Sequence, residues 1–139
     1  MLDTNVVSEL MRREPEHAVV RWLDRQPRES VWVTSVTVFE IWAGIRTMEP
    51  GVRQISLVSG FEQILAELID GRVAAFDTES ARCAAELIAE GRKNGRVMDM
   101  RDTMIAGIVV ARNARLATRN ERHFAEIRRA VVNPWTQNA

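Results

Sequence analysis

Three acidic residues, Asp3, Glu40 and Asp102, lie within apolar sequence rather than in polar loops, in LDTNVVSEL, VTSVTVFEIWAGI and RDTMIAGIVVA. If the fold brings them together, they form a carboxylate cluster. Three like charges roughly 5 Å apart, at an effective dielectric of about 20, repel by on the order of 3 kcal/mol per pair. That total rivals the stability of a small domain, about 5 to 15 kcal/mol. Such a cluster persists only if its groups stay wet, take up protons or bind a divalent cation. A cation held by oxygens is suited to phosphoryl transfer.

Each acid also has a purely structural explanation. Asp3 could cap a helix that starts near Asn5, because Asp is common at that position. Glu40 could be a solvated position on an amphipathic helix, although Phe39, Ile41 and Trp42 leave little polar face around it. Asp102 could pair with Asp99 as a helix-entry device, with Asp99 the cap. The two histidines are assigned surface or packing roles: His17 lies in a polar stretch of an early helix, and His123 follows Asn120 in NERHF.

The elements that would have to position these acids alternate between helix and strand. A helix capped by Asn5 or Thr4 runs through Leu10, and Pro15 opens another with Val19, Val20, Trp22 and Leu23 on one face. Ser30 to Thr34 reads as a strand. Ser35 or Thr37 begins a helix that carries Glu40 in its first turns, with Val38, Ile41, Trp42 and Ile45 on its apolar side. A long amphipathic helix spans Val52 to Ile69. Arg72 to Phe76 is a short strand, followed by a helix over Glu79 to Lys93, capped by Asp77 or Thr78 and closed by Asn94-Gly95. Asp102 to Arg112 forms an apolar helix. Arg115 to Thr118 and Ala130 to Val132 are the last strands, with Glu121 to Arg128 between them as a helical turn. This alternation predicts an α/β fold: a mainly parallel central sheet of four to five short strands with helices on both faces.

In open sheets of this kind, ligands bind outside the carboxyl ends of the strands. Asp3 falls just after the first strand, and Asn120 two residues past the strand ending at Thr118. Only Met1 and Leu2 precede Asp3, so either the first strand is unusually short or the start lies upstream. Trp22, Trp32, Trp42, Phe61 and Phe76 are expected in the core, and Trp135 is expected to pack down the carboxyl terminus.

The chain of 139 residues is sized for one domain over 1–139. Its longest apolar run, Met104 to Ala111, is too short to span a bilayer, and no signal peptide precedes the first motif, so a cytoplasmic setting is expected. With Cys83 the sole cysteine, the chain can build neither an internal disulfide nor a thiolate metal site. Net charge is zero but unevenly spread. Residues 1–90 hold nine basic and fifteen acidic side chains, while residues 91–139 hold ten and four. Eighteen of the nineteen basic residues are Arg, whose planar fork suits phosphate and base stacking. A GC-rich genome is an equally good account of the Arg excess, but not of the asymmetry. The basic residues near the third carboxylate, among them Arg96, Arg101, Arg119 and Arg122, point to a polyanionic substrate.

LDTNVVSEL, TSVTVFEIWAG, RDTMIAG, LATRN and the terminal VNPW follow one another in the order found in PIN-domain nucleases. From Met1 to Trp135 the chain resembles that family. It is most similar to the VapC-type toxins of bacterial toxin–antitoxin pairs and to their FitB-like branch, where an NPW ending is typical. The resemblance implies that Asp3, Glu40 and Asp102 are catalytic and hold Mg²⁺ or Mn²⁺. Asn120 then occupies a position where many relatives have a fourth carboxylate, a departure that favours one firmly bound ion. Asn5, Ser8 and Thr118 match polar positions near the site, with orienting or water-holding roles. The implied activity is endoribonuclease cleavage of RNA, held in check by a VapB-like antitoxin, in a homodimer. The alternative is a low-activity PIN protein that serves mainly as the antitoxin-binding part of a DNA-binding repressor complex.

Overall fold

Leu2 holds the sheet together. Its N–H donates to the Trp32 carbonyl at 2.8 Å, and next to it Asp3 N–H donates to the Ala117 carbonyl at 2.9 Å. Leu2 is thereby bridged in parallel to Val33 on one side and to Ala117 on the other. In this computed structural model, which describes residues 1–137, four two-residue strands extend outward from that residue: β1 (Val33–Thr34), β2 (Val73–Ala74), β3 (Leu116–Ala117) and β4 (Val131–Val132). β1 pairs with β2 and β3 with β4, all parallel. The spatial order is β2, β1, Leu2, β3, β4, the parallel α/β sheet expected from the alternation.

The strands are shorter than the apolar runs suggested, and the reason is local. Within the run at 30–34, Arg28–Ser30 closes into a 3₁₀ turn capped by Val31, and the ladder is confined to Val33–Thr34. At the other edge, Glu121–Ala130 runs as 3₁₀ turns, broken at Phe124 and Ile127, right up to Val131 and takes Ala130 from the expected strand. Phe76, expected in the core, is exposed, because β2 ends at Ala74.

Six α-helices surround the sheet: α1 (Thr4–Leu10), α2 (His17–Asp24), α3 (Ser35–Arg46), α4 (Val52–Gln63), α5 (Thr78–Lys93) and α6 (Met100–Ala111). Side chains in a strand alternate between faces, and this divides the core in two. Leu2, Val33 and Ala117 face Val6, Val7, Val19, Ile41, Ile45 and Phe61 of α1 to α4. Ala74 and Leu116 face Leu87, Ile105, Ile108 and Val109 of α5 and α6. The helix expected over 52–69 is continuous but relaxes into π-helix over Ile64–Ile69 before leaving through a left-handed Asp70. Trp42 and Phe61 meet edge to face at 5.1 Å, which fixes α4 on α3.

The caps differ in detail from expectation. Asp3, not Thr4 or Asn5, caps α1, and Thr34 caps α3 by accepting from the Thr37 N–H at 3.0 Å. Asp77 caps α5. Asp99 caps α6 through the N–H groups of Arg101 and Asp102, so that helix begins at Met100 rather than Asp102. α5 and α6 approach so closely at Gly107 that a Cβ there would sit 2.5 Å from the Ser80 carbonyl oxygen. No helix of the described residues is long and apolar enough to cross a membrane.

Candidate active site

The carboxyl ends of the central strands open on a cleft of about 510 Å³. Asp3 enters it from the turn after Leu2, Glu40 from the second turn of α3, Asp102 from the first turn of α6, and Asn120 from the loop after β3. Asn5 and Ser8 line the same cleft from α1, and Thr118 reaches it through hydrogen bonds from behind.

Asp3 is buried, and three donors hold its carboxylate. Oδ1 accepts from the Thr4 N–H at 2.8 Å, and Oδ2 accepts from the Thr118 hydroxyl at 2.7 Å and the Asn5 amide at 3.2 Å. A carboxylate has about four lone-pair positions, so capacity for a further ligand remains. Burial pushes the Asp3 carboxyl above its ordinary range, while the hydrogen bonds and the nearby His123 pull it down. Thr4, expected from the sequence only as a helix cap, links two of the acids. Its N–H serves Asp3, and its hydroxyl donates to Glu40 Oε1 at 3.0 Å.

Glu40 is partly buried, and that burial raises its pKa. Thr4 and Arg101 oppose the rise, while the charges of Asp3 and Asp102 add to it. Arg101 approaches Glu40 Oε2 at 3.7 Å from an exposed position. Asp102 is raised by burial first and by Asp99 second. His123 opposes that rise: its Nδ1 lies 3.1 Å from Asp102 Oδ2, so this residue, assigned on sequence to the surface or packing, faces the cleft's third acid. The signal available in the sequence was its spacing, three residues beyond Asn120 on the same rim.

The four arginines named from the sequence separate. Arg119 lines the cleft, with its guanidinium over the Trp135 ring at 4.8 Å from the centroid, and its N–H donates to Asn5 Oδ1 at 3.1 Å. Arg101 stands beside Glu40. Arg96 instead pairs with the buried Glu126 carboxylate at 2.7 Å, off hydrogen-bond alignment, and donates to the Arg122 carbonyl. Arg122 is exposed on the 3₁₀ segment. A fourth acid missed in the sequence, Glu9, lines the cleft, but it is committed: it pairs with Arg12 at 3.1 Å and accepts from the Glu16 N–H at 2.9 Å, tying down the α1–α2 loop.

The donor set offered to a ligand is almost wholly oxygen, which suits a hard divalent cation and not a soft one. Among the described residues, no three His, Cys, Asp or Glu side chains close into a ready-made cage. The fit is therefore to an ion that keeps several of its own waters and touches one or two carboxylates, which is how Mg²⁺ is usually held.

A family model described as PIN domain matches residues 1–130. The chain is 39% identical over 135 residues to the plasmid stability protein StbB of Pseudomonas syringae pv. tomato, covering 97% of each. It is 35% identical to the VapC ribonuclease Y4jK of Sinorhizobium fredii, over 97% of this chain and 96% of that protein. Among solved structures, FitAcB from Neisseria gonorrhoeae aligns with a TM-score of 0.88 at 32% identity, covering 98% of both chains.

Proposed function

The chain belongs to the PIN-domain family, and from that premise we propose that it is a Mg²⁺- or Mn²⁺-dependent endoribonuclease, the toxin of a toxin–antitoxin pair. The observation that carries this reading is the cleft itself, into which three elements far apart in sequence deliver Asp3, Glu40 and Asp102. The relative named a VapC ribonuclease, similar along almost its whole length, supports the same chemistry.

When bound, a divalent ion would lower the pKa of a water and neutralise charge on the phosphoryl oxygens. The protein's part is positional. Asp3 and Asp102 would hold the ion, with Glu40 direct or through water. Thr118, Thr4 and Asn5 fix the Asp3 carboxylate and would thereby orient it toward the ion. Asn120 contributes an amide oxygen without charge, which favours a single ion in the free protein. Ser8, exposed at the rim, is suited to holding water. Arg101 and Arg119, and Arg122 beyond them, would meet the RNA backbone. The whole chain acts as one domain in the cytoplasm, as a homodimer, with a VapB-like antitoxin covering the cleft.

Asn120 favours one other reading, in which cleavage is weak and the chain serves chiefly as the antitoxin-binding part of a DNA-binding repressor complex. One experiment separates the two. Purified protein freed of any partner is incubated with total RNA and Mg²⁺ or Mn²⁺, beside Asp3→Asn protein shown by circular dichroism to be folded. Metal-dependent cleavage lost in the variant supports the nuclease, whereas equal cleavage by both proteins removes the catalytic assignment. Absence of cleavage by the natural chain favours the repressor component.

A further inference from the structure

Arg119 differs from Arg12, which also lines the cleft, and from Arg96 and Arg101. Arg12, Arg96 and Arg101 are each engaged with a carboxylate, whereas among the described residues the Arg119 guanidinium forms no ion pair. It sits over the indole of Trp135 instead, and both residues line the acidic cleft. The arrangement is held from behind. Trp135 packs partly against the core of α1 to α4, and its backbone N–H donates to Asn133 Oδ1 at 3.0 Å. The buried Asn133 donates in turn to Glu121 Oε2 at 3.0 Å. The Arg119 N–H is tied to Asn5, whose amide also reaches Asp3 Oδ2, so the stack and the first acid share one rigid support. The Trp135 Nε1 atom is buried without a partner, so the ring's place is not set by a hydrogen bond of its own.

The Arg119 guanidinium carbon lies over the indole, 4.8 Å from its centroid, and Arg119 is an exposed residue lining the cleft, so the guanidinium is backed by the ring and accessible from the cleft. The Trp beneath restricts the side chain before any ligand arrives, and a pre-ordered plane loses little freedom on binding. Such a plane, all of whose N–H donors lie at its rim, accepts the face of a nucleobase, and only an unpaired base can offer its face.

We propose that Arg119, seated on Trp135, is a stacking platform for one unpaired base of the RNA, so that this pair, rather than charge alone, fixes one nucleotide of the substrate in the cleft. This rests on the ribonuclease reading for its substrate class, but binding alone tests it. An RNA hairpin with a short loop, variants with one loop nucleotide at a time made abasic, and the fully paired duplex are each titrated by fluorescence anisotropy. The natural chain is used with EDTA present, at two salt concentrations, beside Arg119→Lys, Arg119→Ala and Trp135→Leu.

The natural chain is expected to prefer the hairpin to the duplex and to lose about tenfold in affinity at one abasic position, in line with the strength of a single base stack. Arg119→Lys, which keeps the charge without the plane, should abolish that abasic penalty and leave the salt dependence unchanged. Trp135→Leu, with its fold checked by melting, should do the same. An Arg119→Lys protein that retains the abasic penalty overturns the proposal. So does an Arg119→Ala protein altered only in salt dependence, the mark of a phosphate contact, and so does a natural chain with no preference for the loop. Because binding is read without metal, it is independent of cleavage: a chain that binds in the expected pattern but leaves RNA intact when Mg²⁺ or Mn²⁺ is supplied overturns the ribonuclease reading and leaves the platform standing.

Discussion

The Thr118 hydroxyl donates to Asp3 Oδ2 at 2.7 Å, joining residues 115 apart in sequence, and the rest of the Thr118 environment leaves that proton nowhere else to go. The same oxygen accepts from the Asn5 amide at 3.1 Å and from the Asn120 N–H at 3.0 Å. Both lone pairs are occupied, so the O–H must point at the carboxylate. The loop carrying Asn120 and the carboxylate of Asp3 are thus registered through one buried atom.

Thr118→Val removes this contact while nearly preserving volume, and it leaves the Asn5 and Asn120 donors facing a methyl group. A hydrogen bond to a charged group is worth about 1.5 to 3 kcal/mol, so a loss of about 2 kcal/mol in urea denaturation is expected. Thr118→Ser should recover most of it. The valine variant should also titrate Asp3 at higher pH, because the Thr118 bond is the largest influence holding that pKa down. A two-dimensional NMR titration of the Asp3 carboxyl carbon would read that shift, and an unmoved titration would contradict the assigned hydrogen bond.

Gly107 permits the closest approach of α5 and α6. An added Cβ would lie 2.5 Å from the Ser80 carbonyl oxygen and 2.7 Å from the Ala84 Cβ, both fixed parts of the buried face of α5. Gly107→Ala therefore cannot be relieved by a side-chain rotation. Overpacking of this kind costs about 1 to 3 kcal/mol or more. That outweighs the ~1 kcal/mol that alanine gains over glycine in a helix interior. A lowered melting temperature is the expected result, and a raised one would show that the two helices separate easily.

The helices were legible because caps and apolar spacing are local signals. Asp99 and Asp77 could be assigned as caps from a few residues of context, and the structure keeps both. Strand lengths were not legible, since a ladder ends where a neighbouring turn begins, as Arg28–Ser30 does before β1. At the site, helix cap and cleft carboxylate were set against each other as explanations of Asp3, yet one side chain does both: Oδ1 caps α1 and Oδ2 reaches Thr118. Glu9 was not singled out, and Thr4, His123 and Trp135 were read only as a cap, a surface or packing residue and a packing residue of the carboxyl terminus. Their contacts at the cleft depend on how the loops after α1 and β3 fold back, which their flanking sequence does not record, save for the spacing of His123 from Asn120.

Arg96 and Glu126 link the α5–α6 loop to the 3₁₀ segment that carries His123. The Glu126 side chain is 3% exposed and the Arg96 side chain 38%, so the acid is the member that suffers if the pair is broken. Arg96→Ala strands a buried carboxylate. The full penalty for breaking a buried pair is about 3 to 5 kcal/mol. The exposure of the Arg reduces the expectation to about 1 to 3 kcal/mol. Glu126→Gln should cost less, and Glu126→Gln in the Arg96→Ala background should restore stability. A double-mutant cycle in urea reads this directly, and additive losses would show the two side chains to be independent.

Glu40 gives the cleanest test of how the acidic cleft is balanced, because neutralising it breaks little. Glu40→Gln keeps an oxygen for the Thr4 hydroxyl and gives up only the long, exposed contact with Arg101. The folded-state pKa of Glu40 is raised, so between its unfolded and folded values the native protein binds more protons than the unfolded chain, and stability falls as pH rises through that window. Above the window the folded state carries the full cost of the ionised group. With EDTA at neutral pH, Glu40→Gln should therefore melt higher than the natural chain, by about 1 to 3 °C, and the difference should vanish in acid. Millimolar Mg²⁺ or Mn²⁺ should reverse the order, since an ion that binds the folded state stabilises it in proportion to its affinity. Arg101→Gln should act in the opposite sense. Removing a positive charge next to Glu40 should tighten divalent-ion binding, read from the metal-induced rise in melting temperature, while weakening RNA binding. An Arg101→Gln protein whose metal response matches that of the natural chain would place its guanidinium too far from the ion to matter.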